Sequence, residues 1–97
     1  MIVVRDIFQL HFGKAQEAIA LFKEFRTVLR EDGFQIERIL TDVTGTYYTV
    51  VVESRYPSLS AYETSRSGRN PEKWQETYSR IVPLVREGRR EIFQEVA

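Results

Sequence analysis

The sequence predicts an α+β domain, with four strands in one antiparallel sheet, helices packed on a single face, and elements in the order β-α-β-β-α-β. Three observations carry this expectation. Apolar and polar residues alternate from the start of the chain; β-branched and aromatic runs flank Gly45; and two stretches repeat apolar residues at helical spacing. Residues 1–97 read as one domain, with no internal repeat, low-complexity stretch or linker. A chain of this length buries only a modest share of its unfolded surface, so self-association would add burial. Leu, Ile, Val and Phe make up about 30% of it, above the level at which a highly charged chain stays disordered.

Residues 2–12 form the first strand. Its even positions (Ile2, Val4, Asp6, Phe8, Leu10, Phe12) make a core face with one exception, Asp6. Beyond Gly13, the residues Ala15, Ala18, Phe22, Phe25 and Leu29 share one helical stripe, and Asp32-Gly33 is expected to stop that helix, because glycine takes the left-handed conformation freely. Residues 34–44 and 46–56 are read as a hairpin with a tight turn at Thr44-Gly45-Thr46. Tyr48, Val50, Val52, Ser54 and Tyr56 form the inward face of its second strand. Pro57 then breaks the ladder, and Ser58, or Ser60 with Glu63 in a capping box, opens a short helix. Residues 65–69 are polar and read as a loop. Asn70-Pro71 begins the next helix, since Asn is a good cap, Pro suits the first helical position, and Glu72 follows at the positive end of the dipole. Trp74, Tyr78, Ile81 and Val85 recur along its buried stripe. Pro83 kinks it or ends its regular part, Gly88 terminates it, and residues 90–96 form the last strand.

That order is the ferredoxin-like split βαβ arrangement. With all helices on one face, the other face of the sheet is left bare, and Val3, Ile7, Tyr47 and Val51 lie on it among Arg5, Gln9, Thr49 and Glu53. This is too apolar for a lone chain. The expected partner is a second copy packed sheet to sheet.

Composition narrows the function classes. Fourteen basic and fourteen acidic residues cancel, which removes the electrostatic drive toward nucleic acid, and no phosphate-binding loop or RNA-binding aromatic strand is present. Zero cysteines exclude disulfides, thiolate metal sites and a cysteine nucleophile. The single histidine, His11, precludes a multi-histidine metal site, so no metal and no organic cofactor is expected. His11 lies opposite the core face, where it is read as a hydrogen-bonding group of the interface. The opening apolar stretch is interrupted by Arg5 and Asp6 and lacks a basic lead. No signal peptide or membrane span is therefore expected, and the cytoplasm is the expected compartment.

Asp6 is the most informative residue. A carboxylate between Val4 and Phe8 on a core face must be paired, protonated, or open to a wet cavity. One reading makes it a general acid or base on a pocket wall; the other makes it structural, bonded to a backbone N–H or to Arg38. Tyr48, Tyr56, Tyr62, Trp74 and Tyr78 all sit on inward faces and combine an apolar body with a polar tip. They either wall a cavity for a small apolar ligand, with Arg38 as a polar contact, or fill the space between sheet and helices. Arg66, Arg69, Arg89 and Arg90, flanked by Glu72, Glu87 and Glu91, read as a solvated face. Nothing resembles a nucleophile elbow.

Several stretches carry a family likeness: FQLHFGKAQEAIALFKE (residues 8–24), YPSL and AYE within residues 56–63, NPEKW (70–74) and IFQEV (92–96). Together they resemble the dimeric α+β barrel superfamily, in which two ferredoxin-like sheets pack face to face, and most of all its NIPSNAP-type branch. The likeness spans nearly the whole chain, but its motifs are caps, turns and core stripes, which identify fold rather than activity. Other branches are antibiotic-biosynthesis monooxygenases, cyclases and haem enzymes. No histidine stands on the long helix for a haem, and the asparagine, arginine and tryptophan set of the cofactor-free monooxygenases has no clear counterpart, although Trp74 has the right residue type. The leading expectation is a homodimer that binds a small hydrophobic molecule between sheet and helices. The rival is a cofactor-independent monooxygenase, isomerase or cyclase acting on an aromatic or polyketide-like substrate, with Asp6 and Tyr48 handling protons. A third is a structural or interaction module without a ligand.

Overall fold

A computed structural model describes residues 1–31, 34–67 and 71–96. Its elements are β1 (Ile2–Leu10), α1 (Ala15–Glu31), β2 (Ile36–Thr41), β3 (Thr49–Tyr56), α2 (Leu59–Ser67), α3 (Pro71–Ile81), a 3-10 turn (Val82–Leu84) and β4 (Val85–Gln94). The strands form one sheet in the order β2-β3-β1-β4, with every neighbouring pair antiparallel. This is the expected ferredoxin-like α+β fold. The molecule measures 37 × 35 × 18 Å, and its short dimension fits one sheet layer and one helix layer.

The alternation of β1 holds through the sheet. Val4, Asp6 and Phe8 face the helices and stand opposite Ser54, Val52 and Val50 on β3. Opposite these, α1 buries Ala18, Leu21, Phe22, Phe25 and Leu29, the stripe set by its 3.6-residue period. α3 adds Thr77 and Ile81, with the Thr77 hydroxyl donating to the Lys73 carbonyl. Helix α2 buries only Tyr62. Its N-terminus is capped by Ser58 rather than Ser60, since the Ala61 N–H donates to Ser58 Oγ at 3.1 Å.

Four local expectations are corrected. The hairpin has no tight turn at Gly45. Strand β2 ends at Thr41, and the chain crosses residues 42–48 in a loop closed by the Thr49 N–H donating to Asp42 Oδ1 at 3.0 Å. Gly45, Tyr47 and Tyr48 all take positive φ there, and the Leu10 N–H reaches the Tyr48 carbonyl. The aromatic and β-branched composition of this segment suits a strand, but these tertiary bonds prevail. Phe12, expected on the core face, lies past the end of β1, exposed, with its ring 4.9 Å from that of Tyr48.

Residues 65–67 belong to α2 rather than to a loop. The hydroxyls of Thr64, Ser65 and Ser67 donate to carbonyls of their own helix at 3.0–3.1 Å, so the polar side chains do not compete for it. At the other end, α3 stops at Ile81 and the chain enters β4 at Val85, so Gly88 lies within a strand and does not terminate a helix. Pro83 accounts for the early stop, having no N–H to continue the ladder. Gly88 is tolerated on this edge strand because the Phe8 ring lies across it: a Cβ added there would meet Phe8 Cδ1 at 3.2 Å. The Asp32-Gly33 stop, the Asn70 cap, Gly68 and Arg69 lie outside the described residues.

On the side away from the helices, the registers set Val3 beside Phe93 and Ile7 beside Val51, two apolar pairs separated along the sheet by the row of Arg5, Glu53 and Glu91. Charged pairs lie between and beside them: Glu53, buried, takes Arg38 at 2.8 Å and Arg5 at 3.4 Å, while Arg55 meets Glu95 and Arg89 meets Glu91. No helix among the described residues is long and apolar enough to cross a membrane.

Candidate functional site

The apolar interior consists of two clusters. The larger joins α1, α3 and the far half of the sheet, and Phe8 packs against it; the smaller comprises Ile2, Val4, Tyr56 and Tyr62. Asp6 stands on β1 between Val4 and Phe8, where the two would meet. A carboxylate cannot merge into either without losing its hydration. The core therefore divides at Asp6, leaving a cleft of about 460 Å³ between sheet and helices, within the range usual for small-molecule sites.

Aromatic rings wall this cleft. Phe8 and Phe22 meet at 5.0 Å, Tyr56 and Tyr62 at 5.2 Å, and Phe25 and Trp74 at 4.9 Å, all tilted. Trp74 is half-buried, with the Phe25 ring on one side and Tyr78 stacked parallel at 5.9 Å on the other. It is thus both a core residue and a wall of the cleft.

Polar groups gather at one side. Arg90, directly opposite Asp6 in the β1–β4 register, donates from Nε to Asp6 Oδ1 at 2.5 Å. Desolvation works against the Arg90 charge, but the hydrogen bond and charge of Asp6 outweigh it, with Tyr62 and Tyr56 adding to them, and hold the guanidinium above its ordinary range. Arg66 donates to the Tyr62 hydroxyl at 3.4 Å. The guanidinium carbons of Arg66 and Arg90 lie 5.8 and 5.9 Å from the centre of the Tyr62 ring, within cation–π reach. Burial pushes the Tyr56 phenol up, partly offset by hydrogen bonding with Ser54, the Gln35 backbone and Ser65. The result is a slot with apolar, ring-lined walls and a cationic rim around one carboxylate.

Asp6, Tyr56, Tyr62, Trp74 and Tyr78 all line this cleft. Two of the sequence candidates do not. Tyr48 sits in the 42–48 loop and lines a separate hollow with Phe12 and Tyr47, because the chain leaves strand geometry before reaching it. Arg38 projects from the opposite face of the sheet, where its Nε donates to Glu53 at 2.8 Å; a register shift between Ile36 and Arg38 sets that orientation. The partner of Asp6 is Arg90. Sequence reasoning assigned Arg66 and Arg90 to a solvated face, although complementary charges at facing strand positions could have revealed the Asp6–Arg90 pair once β4 was in register. Among the described residues, no group of three or more His, Cys, Asp or Glu side chains is placed to hold a metal ion.

Fold and cleft together define a class: ferredoxin-like α+β domains with an open sheet face and an aromatic slot beneath the helices. Among solved structures, NIPSNAP-domain proteins share this fold. An uncharacterized NIPSNAP domain protein from Burkholderia xenovorans is 21% identical, over 100% of this chain and 96% of its own, with a TM-score of 0.90. A NIPSNAP-like domain protein from the same organism, also uncharacterized, is 24% identical over 99% of this chain and 85% of its own, with a TM-score of 0.86. A cofactor-independent oxygenase from Streptomyces nogalater is more distant, at 11% identity over 99% of this chain and 93% of its own, with a TM-score of 0.76. At such identities the likeness is one of fold, and no activity travels with it. No family model matches the chain, and no curated protein sequence does.

Proposed function

We propose that this protein is a homodimeric binding protein that takes a small, flat, largely apolar molecule into the cleft of each protomer. The observation that carries this reading is the aromatic-walled space of about 460 Å³ that opens where Asp6 interrupts the core. Dimerisation through the bare sheet face is supported by its two apolar pairs, Val3 with Phe93 and Ile7 with Val51, and by the ion pairs that already satisfy the charges lying between and beside them. A chain with no cysteine has no need of an oxidising compartment, which supports the cytosol as its place.

Titration with N-phenyl-1-naphthylamine, an uncharged fluorophore that brightens in apolar surroundings, tests the binding reading. Saturable binding to the wild type is expected, and loss of at least about tenfold in affinity in Val52→Phe, whose added ring occupies the cleft. Circular dichroism on the variant confirms that it folds. Absence of saturable binding, or equal binding by the folded variant, would overturn the reading.

A second reading is catalysis without a cofactor. It is favoured by the position of Asp6 on the cleft wall, paired with the arginine that lies over the Tyr62 ring, and by the oxygenase that shares this fold. Binding stands first because Asp6 Oδ1 already accepts from Arg90, so proton transfer there would require that pair to separate.

A further inference from the structure

We infer that the molecule taken up by the cleft is an aromatic monoanion, with its rings between the aromatic walls and its carboxylate or equivalent acidic group on Arg66. The inference rests on the proposed binding role and adds the chemical class of the ligand. It follows from the charges at the mouth. Two arginines at the mouth, Arg66 and Arg90, stand against one acid, Asp6, while Arg89, which also borders the cleft, stands opposite Ile7 in the register, on the bare side of the sheet. Arg90 is paired with Asp6, and Arg89 holds Glu91 at 3.2 Å. Arg66 has no carboxylate partner among the described residues; its contacts are the Tyr62 hydroxyl and the Tyr62 ring. Since the ring fixes one face of the guanidinium without neutralising it, the remaining N–H groups are left to grip a planar two-oxygen acceptor.

The rest of the site fits the same molecule. The wall next to Arg66 is the apolar body of Tyr62, Trp74 lines the same cleft, and Ser54 on the sheet is the small residue among its lining. A neutral aromatic would fill the walls and leave Arg66 to water. A cation would meet the net positive rim, and Asp6 is already occupied. A highly charged anion such as a nucleotide would have to bring several charges to a rim with one unpaired guanidinium. One negative charge on a flat apolar body matches what the cleft offers.

The test compares 2-naphthoate with its uncharged isostere 2-naphthamide by isothermal titration calorimetry, on the wild type and on Arg66→Gln. The side chain of Arg66 is exposed on α2, so its replacement leaves the core intact. The wild type is expected to prefer the naphthoate by about tenfold or more. In Arg66→Gln that preference should collapse toward one while naphthamide affinity stays unchanged. Equal affinities in the wild type, or a preference that survives Arg66→Gln, would overturn the inference. If N-phenyl-1-naphthylamine binds and neither naphthyl compound does, the anion class is wrong and the cleft remains a binding site. If none of the three binds, the binding role itself fails.

Discussion

Val51→Asp is expected to turn the proposed dimer into a monomer while leaving the fold of each chain in place. Val51 lies on the bare side of β3, between Ile7 of β1 and Leu40 of β2. In a single chain the new carboxylate stands half in water, at modest cost. In a face-to-face dimer it would be sealed beside Ile7, and twice over, because a two-fold interface repeats every substitution. Burying an ion without a partner costs several kcal/mol, so the dissociation constant should rise by about a thousandfold or more. Light scattering coupled to size exclusion at micromolar concentration checks this: the wild type should give twice the mass of one chain and the variant the mass of one. A monomeric wild type, or a variant that remains dimeric, would contradict the proposed assembly.

Phe22→Ala should be the most damaging single change to stability, at about 3–5 kcal/mol. Phe22 is only 2% exposed and lies at the middle of the α1 stripe, where its ring meets Phe8 on the sheet. It joins the helix layer to the central strand and also forms part of the cleft wall. Its removal loses the transfer energy of a buried ring and leaves a void that neighbouring rings, fixed by their own contacts, fill only partly. Such a loss is a large fraction of the stability of an ordinary domain, so urea unfolding followed by circular dichroism should show a much lower midpoint with little change in slope. A loss below about 1 kcal/mol would mean that α1 is not anchored as described.

Period was the most legible signal in this sequence. Alternation in β1 identified both faces of the central strand and marked Asp6 as the one residue at odds with its neighbours. The 3.6-residue spacing located α1 and put Trp74 on an inward stripe. Strand ends were less legible, because local composition does not report the tertiary bonds that decide them. Thr46, Tyr47 and Tyr48 look like a strand yet form part of a loop tied down by Asp42 and Leu10. Gly88 resembles a helix stop, yet it is a strand residue shielded by Phe8. These boundary shifts carried over to the site. Tyr48 and Arg38 dropped away from the cleft, while Arg90 and Arg66 entered it through the register of β4 and the extension of α2. Only a sheet register could pair residues 6 and 90, which lie at opposite ends of the chain.

Two-dimensional proton–nitrogen NMR during a titration with N-phenyl-1-naphthylamine reads out where in the molecule the ligand sits. With the ligand in the cleft, the indole N–H of Trp74 and the backbone amides of Asp6, Tyr62, Arg66 and Arg90 should shift together along one saturation curve, while the 42–48 loop and the amide of Phe93 stay still. Shifts concentrated in that loop or on the bare sheet face, with Trp74 unmoved, would rule out a ligand seated in the cleft.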